Sequence, residues 1–482
     1  MESIWRETVE IPERKRAEGF LEREIVVIGA GMTGILTACH LQKMGKQVVV
    51  LEAGRIAGGQ TGRTTAKITS QHGAFYHRLI SKIGFERARL YAKANQEAIE
   101  AYRRIVEEQG IECDFRRLPS YLYSTGNGDL LRQEAEAAKA LGIHADMVSV
   151  CELPFPIEGA VRFENQAQFH PLKFIRAMAE GLEVYENTPV KKVRGNVVYF
   201  DGGMVSADQV IFATHYPIVN FPGMYFLRQH QERSYVLALS GCERLNGMYY
   251  SADSDGLSFR SAGDILLLGG NSHRTGKNVR GGAYASLEET ARKYDKDSQV
   301  VGRWSAQDCM PHDEIPFVGR YSCLTGNRGH FGKGEKGRGS SGGGGLPIGG
   351  GDWYVATGYK KWGMSSAMAA SLLLADLITG RENPYEKLFT PQRLLIKAAA
   401  GNLATDIGES IRGLSKGWLH PWKRQEETGE KRWTRCSHLG CRLEWNPDEE
   451  SWDCPCHGSR FDREGHLLDE PAKCGLRTTI KQ

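Results

Sequence analysis

Residues 24–52 place the tightest constraint on how this chain folds. A short apolar run, EIVVI at 24–28, is followed at once by Gly29-Ala30-Gly31-Met32-Thr33-Gly34 and then by the helical stretch ILTACHLQKMG. That order reads as strand, glycine turn, helix. Gly29 permits the tight turn, Gly31 lets the backbone approach a pyrophosphate, and Gly34 lets the helix pack closely on the strand. The helix N-terminus then faces the phosphate charge. A second apolar run, QVVVL at 47–51, ends in Glu52, 23 residues after Gly29. An offset of about 20 is expected for a carboxylate that accepts hydrogen bonds from the ribose hydroxyls. A lone glycine motif is a weak signal, but strand, turn, helix, strand and acid in this order point to a dinucleotide site.

The residues just beyond separate a flavin from a nicotinamide cofactor. AGRIAGGQTGRTTAK at 53–67 resembles the second segment of the FAD-dependent amino acid and amine oxidase family, of the D-amino acid oxidase or glycine oxidase type. In that family this loop wraps the pyrophosphate and ribityl chain. The resemblance implies that Ala53, Arg55, Thr61, Arg63, Thr64 and Thr65 line FAD together with Gly29, Gly31, Met32, Thr33, Gly34 and Glu52. A surface loop is the bland reading of the same stretch. TPV at 188–190 and the strands VVYF and ADQVIFATHYP are similar to the family's later pieces. They imply a backbone contact from Val190 to the adenine and bring Ala213 and Thr214 near the cofactor. Further on, the strand DWYVAT at 352–357 runs into GYKKWGM and the helix SSAMAASLLLADLITG, which resembles the family's closing glycine loop. Gly358, Trp362, Gly363 and Met364 would then border the flavin, with a helix N-terminus stabilising the charge of its reduced form. A strand-to-helix turn of any α/β fold is the alternative.

His72, in SQHG at 70–73, falls where relatives place a histidine near the flavin and is the catalytic candidate; a packing histidine under the loop competes with it. In QERSYVL at 231–237, Arg233 and Tyr235 alternate toward one strand face. They would line the substrate side, where an arginine could clamp a carboxylate, or belong to a solvated face.

Composition bounds the rest. A chain of 482 residues is long enough for about three domains. A net charge of +4 argues against nucleic acid as a partner. The run AMAASLLLA at 367–375 is too short to span a membrane, and the mixed charges of residues 1–20 leave no secretory signal. The expected compartment is the cytoplasm. Half of residues 326–351 are glycine, which reads as a flexible insertion without the spacing of a phosphate-binding Walker loop.

Five of the 11 cysteines fall within the last 47 residues, and in a reducing compartment such a cluster reads as a metal site. Cys436-Ser437-His438 is followed, after fifteen residues, by Cys454-Pro455-Cys456-His457. The pattern looks like a Rieske [2Fe–2S] motif, with Cys436 and Cys454 on one iron and His438 and His457 on the other. Tetrahedral zinc is the competitor. The resemblance further implies that Cys441 and Cys456 form a disulfide joining the two loops. It also implies that Ser459 donates a hydrogen bond to a cluster sulfur. Phe461 stands where high-potential relatives carry a tyrosine, which removes a hydroxyl donor and lowers the expected potential. Cys474 reads as a free thiol. The stretch before the first cluster loop is too short for a full set of supporting strands, so a shortened domain is expected.

The expected architecture is α/β. A doubly wound, Rossmann-like FAD domain is drawn from segments near 21–75, 180–217, 300–322 and 352–390. It interleaves with an α+β substrate domain near 76–179 and 218–299. A linker helix at 391–422 leads to a small all-β Rieske domain at 423–482. The expected activity is oxidation of an amine or amino acid C–N bond to an imine. Electrons would pass from the flavin through the cluster to a one-electron acceptor protein or a quinone. A flavin and iron–sulfur electron-transfer or redox-sensing protein without amine turnover is the rival.

Overall fold

The computed structural model describes residues 2–254, 256–321, 352–393, 408 and 435–476. The expected glycine-rich insertion at 326–351 lies outside the described residues, as does nearly all of the expected linker helix at 391–422.

Valine-rich strands without a polar face need cover on both sides, and a parallel sheet provides it. Gly19–Ile28 runs through the middle of an eight-stranded sheet, parallel to Val48–Leu51 on one side and Gly203–Phe212 on the other. Glu183–Tyr185 and Asp352–Thr357 extend it in parallel at either side, and Phe317–Arg320 closes one edge antiparallel. Helices Met32–Lys43 and Gly363–Ile378 pack on each other and on this sheet. The parallel core is therefore assembled from widely separated stretches of chain.

A nine-stranded sheet forms the second layer system. Within it Gln229–Ser240 is antiparallel to both Ile265–Arg274 and Gln299–Pro311. Along the first half of Gln229–Ser240 burial alternates: Gln229, Gln231, Arg233 and Tyr235 are buried, while His230, Glu232 and Ser234 are more open. A strand face of Gln, Arg and Tyr is too polar to sit in an apolar core, so something polar must cover it.

The cover is the C-terminal module. Glu444–Asn446, Ser451–Asp453, Arg460–Phe461 and Leu467–Asp469 make a four-stranded antiparallel sheet around Leu443, Trp452 and Phe461. Its acidic residues meet the strand. The Arg233 guanidinium lies 3.0 Å from Glu449 and 3.5 Å from Asp469. Arg460 lies 2.7 Å from Asp469, 3.0 Å from Asp453 and 3.1 Å from Glu449. Arg233 thus neither clamps a substrate carboxylate nor faces solvent. It joins two modules, and it is wholly enclosed.

These charges hold each other ionised. Burial alone would raise the Glu449 carboxyl, but Arg233 and Arg460 outweigh it and hold it at about 2. Burial likewise opposes ionisation of Asp469, which Arg63, Arg460 and Arg233 together hold well below the usual carboxylate range. Carboxyl groups with depressed values contribute stability above their unfolded values of about 4. That contribution is lost as pH falls through the folded values.

Removing one partner of such a buried network leaves uncompensated charge, at a typical cost of about 3–5 kcal/mol. Urea unfolding of Arg233→Leu at neutral pH should therefore show a loss of about 3 kcal/mol. The difference from wild type should shrink as pH is lowered from about 4 toward 2, because protonated Glu449 and Asp469 no longer require the cation.

Candidate functional site

A cavity of about 980 Å³ opens along the carboxyl ends of the parallel strands, near the top of the range of about 300–1,000 Å³ common for ligand sites. Gly29 follows the central strand with φ +106°, and a Cβ there would lie 2.5 Å from the Ala213 carbonyl oxygen. A Cβ on Gly34 would lie 1.9 Å from the Gly29 carbonyl oxygen. Only glycine fits at either position, so strand, turn and helix close to the spacing a pyrophosphate requires. Glu52 ends the neighbouring strand, where its carboxylate accepts from Ala30 N–H at 2.7 Å and Gly54 N–H at 2.9 Å. Each oxygen keeps a second acceptor site for a ribose hydroxyl.

Gly29, Gly31, Met32, Thr33, Glu52 and Ala53 border the cavity. The loop that follows adds Arg55, Thr61, Arg63, Thr64 and Thr65, and the later strands add Val190, Ala213 and Thr214. Trp362, Gly363 and Met364 border it from the start of the last long helix. Thr61 Oγ1 accepts from Met32 N–H at 2.9 Å, and Thr33 Oγ1 lies 2.9 Å from the Tyr359 hydroxyl. Two of the arginines are already engaged: Arg55 lies 3.0 Å from Glu186 and Arg63 lies 3.4 Å from Asp469. Gly34 and Gly358 are not among the residues that line the cavity.

His72 also lies outside the cavity lining. Its ring stacks on Trp362 at 4.9 Å, and its nitrogens lie 2.8 Å from the Tyr91 hydroxyl and 2.9 Å from the Thr69 carbonyl oxygen. Burial pushes it down to about 3, so it stays neutral beneath Trp362. This geometry matches the packing alternative and offers no proton acceptor to a substrate.

Lys67, at the end of the same loop, is marked by no motif in the sequence. Its ammonium lies 3.1 Å from Ser258 Oγ, 3.3 Å from Thr65 Oγ1 and 4.9 Å from the centre of the Tyr250 ring. Burial, with a smaller contribution from Arg260, lowers it to about 7. Lys67, Tyr250 and Ser258 all border the cavity. Lys67 sits in a threonine-rich loop that reads as cofactor-binding, while Tyr250 and Ser258 come from strands almost two hundred residues away.

One wall belongs to the C-terminal module, through residues 467–470. From the cofactor loop, Gln60 Nε2 donates to Asp469 at 3.1 Å, in parallel with Arg63. Just beyond lies the second donor set. Cys436 and Cys454 are buried with their sulfurs hydrogen-bonded to each other. That bond, opposed by burial and reinforced by Ser459 and backbone amides, lowers the Cys436 thiol from its ordinary value. The rings of His438 and His457 are perpendicular, 5.0 Å between centres. His438 Nδ1 is buried without a hydrogen-bond partner, as suits a nitrogen reserved for a metal. Cys441 and Cys456 form a disulfide between the two loops, and their sulfurs crowd Cys454 within 4.8 Å. Being bonded, they offer no thiolate, which leaves two thiols and two imidazoles. Cys474 is free and exposed.

The FAD dependent oxidoreductase family matches residues 24–377. The chain belongs to that family. Residues 431–479 of the oxidoreductase match the Rieske [2Fe-2S] domain, which sets aside the zinc reading. The oxidoreductase is 33% identical to the Rieske 2Fe-2S iron-sulfur protein YhfW of Bacillus subtilis (strain 168), over 98% of this chain and 96% of the relative. It is 26% identical to the gamma-glutamylputrescine oxidoreductase of Escherichia coli (strain K12), over 39% of this chain and 48% of that protein. Glycine oxidase from Geobacillus kaustophilus shares the fold at TM-score 0.62 and 18% identity, covering 78% of this chain and 99% of that one. The oxidoreductase therefore uses FAD and a Rieske [2Fe–2S] cluster.

In Gly29→Ala the added methyl group meets a backbone oxygen, so the purified protein should lack flavin absorbance. Cys454→Ser should keep its flavin and lose iron and acid-labile sulfide. Loss of flavin from the second variant would show that the two sites do not load independently.

Proposed function

We propose that the chain is a dehydrogenase that oxidises the C–N bond of an amine or amino acid to an imine and delivers the electrons, through its Rieske module, to an external acceptor. The observation that carries this reading is the shared wall: residues 467–470 of the Rieske module border the same cavity as the Gly29 turn. FAD, when bound, takes up electrons in pairs, and the cluster carries them singly. The named activity of the Escherichia coli relative, on gamma-glutamylputrescine, supports an amine as substrate. An acceptor protein or a quinone suits one-electron delivery. Among the described residues no helix is long and apolar enough to cross a membrane, and a cytoplasmic location is part of the proposal.

The residues divide the work. The glycine turn, Glu52 and the threonine loop bind and orient the dinucleotide. Trp362, backed by His72, and Tyr250, packed edge-on against Trp362, give the cavity an aromatic boundary that excludes water from an amine held against it. An amine donates a hydride equivalent only in its neutral form, so a substrate arriving as an ammonium must lose a proton. Lys67 Nζ is suited to take it. At about 7 it is largely neutral just above neutrality, and no carboxylate among the described residues pairs with it to keep it charged. His72 holds Trp362 in place.

Anaerobic addition of a panel of amines and amino acids should bleach the flavin absorbance with at least one of them. No bleaching by any of them, together with reduction by NADH or a protein donor, would replace this reading with electron transfer without amine turnover. For the substrate found, kcat/KM should rise with pH through about 7. Lys67→Met should lose that limb and slow turnover by about 10²–10⁴-fold, the usual worth of a positioned acid or base.

A further inference from the structure

The imidazole rings of the cluster histidines meet the flavoprotein at a loop of residues 218–228. His438 Nε2 lies 3.0 Å from Asn220 Oδ1. Phe226 stands edge-on to both rings, 6.5 Å from His438 and 6.0 Å from His457. The loop is firmly seated. Met224 N–H donates to the Asn220 carbonyl oxygen at 2.7 Å, the Tyr321 hydroxyl donates to the Val219 carbonyl oxygen, and buried Tyr225 packs on Phe317 and Tyr321. Asn220 is therefore held in place by the flavoprotein, 218 residues before the histidine it meets.

The hydrogen bond has one sensible polarity. If Nδ1 carried the proton, a donor would be buried with no acceptor, because Nδ1 has no partner. With the proton on Nε2, that nitrogen donates to Asn220 Oδ1, and the Nδ1 lone pair is left for iron. We infer that Asn220 is a positioning residue of the Rieske centre: it fixes the tautomer of His438 and, by accepting its N–H, sets the reduction potential of the cluster from the flavoprotein side. An acceptor on the outer nitrogen makes the imidazole a stronger donor, which favours the oxidised, more positive iron and lowers the potential. The inference rests on the donor set and not on the substrate proposed above.

The test is a mediated redox titration of the purified holoprotein, followed by the EPR signal of the reduced cluster, with iron and sulfide content measured alongside. It needs no amine turnover, so failure of the dehydrogenase reading would leave it intact. Asn220→Leu removes the acceptor, and the potential should rise. Asn220→Asp supplies an anionic acceptor, and the potential should fall. Each should change the ratio of reduced to oxidised cluster about tenfold at a fixed ambient potential, equivalent to about 59 mV for a one-electron couple. If Asn220→Leu fails to retain iron, the downward shift in Asn220→Asp still supports the inference and its absence overturns it. Shifts of both variants in the same direction, or of neither, would also overturn it.

Discussion

Asp469 lies where three parts of the chain meet, and a buried carboxylate at such a point needs its cations in place. Gln60 and Arg63 reach it from the cofactor loop, Arg233 from the nine-stranded sheet and Arg460 from its own small sheet. Each of these groups would be costly to bury alone, so they are stable only together. That mutual requirement seats the Rieske module on the flavoprotein in one orientation, and the other features of the site follow from it. The strand Leu467–Asp469 becomes a wall of the flavin cavity, and the cluster loops come to rest against the nine-stranded sheet.

The same seating answers a weakness visible in the sequence, where the stretch before the first cluster loop looks too short to supply the usual strands. Part of the support comes from the other module. Gln231 donates to the His457 and Glu470 carbonyl oxygens, and Gln307 to the Gly458 carbonyl oxygen. Arg274 donates to the carbonyl oxygens of Pro455 and Cys456. Five backbone oxygens in and around the second cluster loop are thus satisfied by side chains of the flavoprotein. A loop whose polar groups are paired in this way does not need a large sheet of its own beneath it.

What could be read in advance was local. The glycine turn, Glu52, the threonine loop and both cluster loops are short patterns whose residues act on one ligand from neighbouring positions in the chain. The role of Arg233 is hidden because a strand shows its period but not what lies over each face. Gln231, Arg233 and Tyr235 form the same alternation whether water, substrate or another module covers them. Lys67 was hidden differently. Its lowered basicity comes from enclosure and from Arg260, far along the chain, and neither leaves a mark in the sequence around it. His72 stood at a plausible position, yet its place under Trp362 depends on where the last long helix begins.

The sequence by itself determined the two cofactors and the order of the modules that hold them. Glycine spacing around a pyrophosphate, and cysteine and histidine spacing around two irons, are dictated by the ligands and so are written in contiguous residues. Only the tertiary structure decided how the two centres share one site. The Asp469 network, the face of Arg233, the enclosure of Lys67 and the meeting of Asn220 with His438 all join residues far apart in the chain. Their energies exist only after folding has removed water from between them.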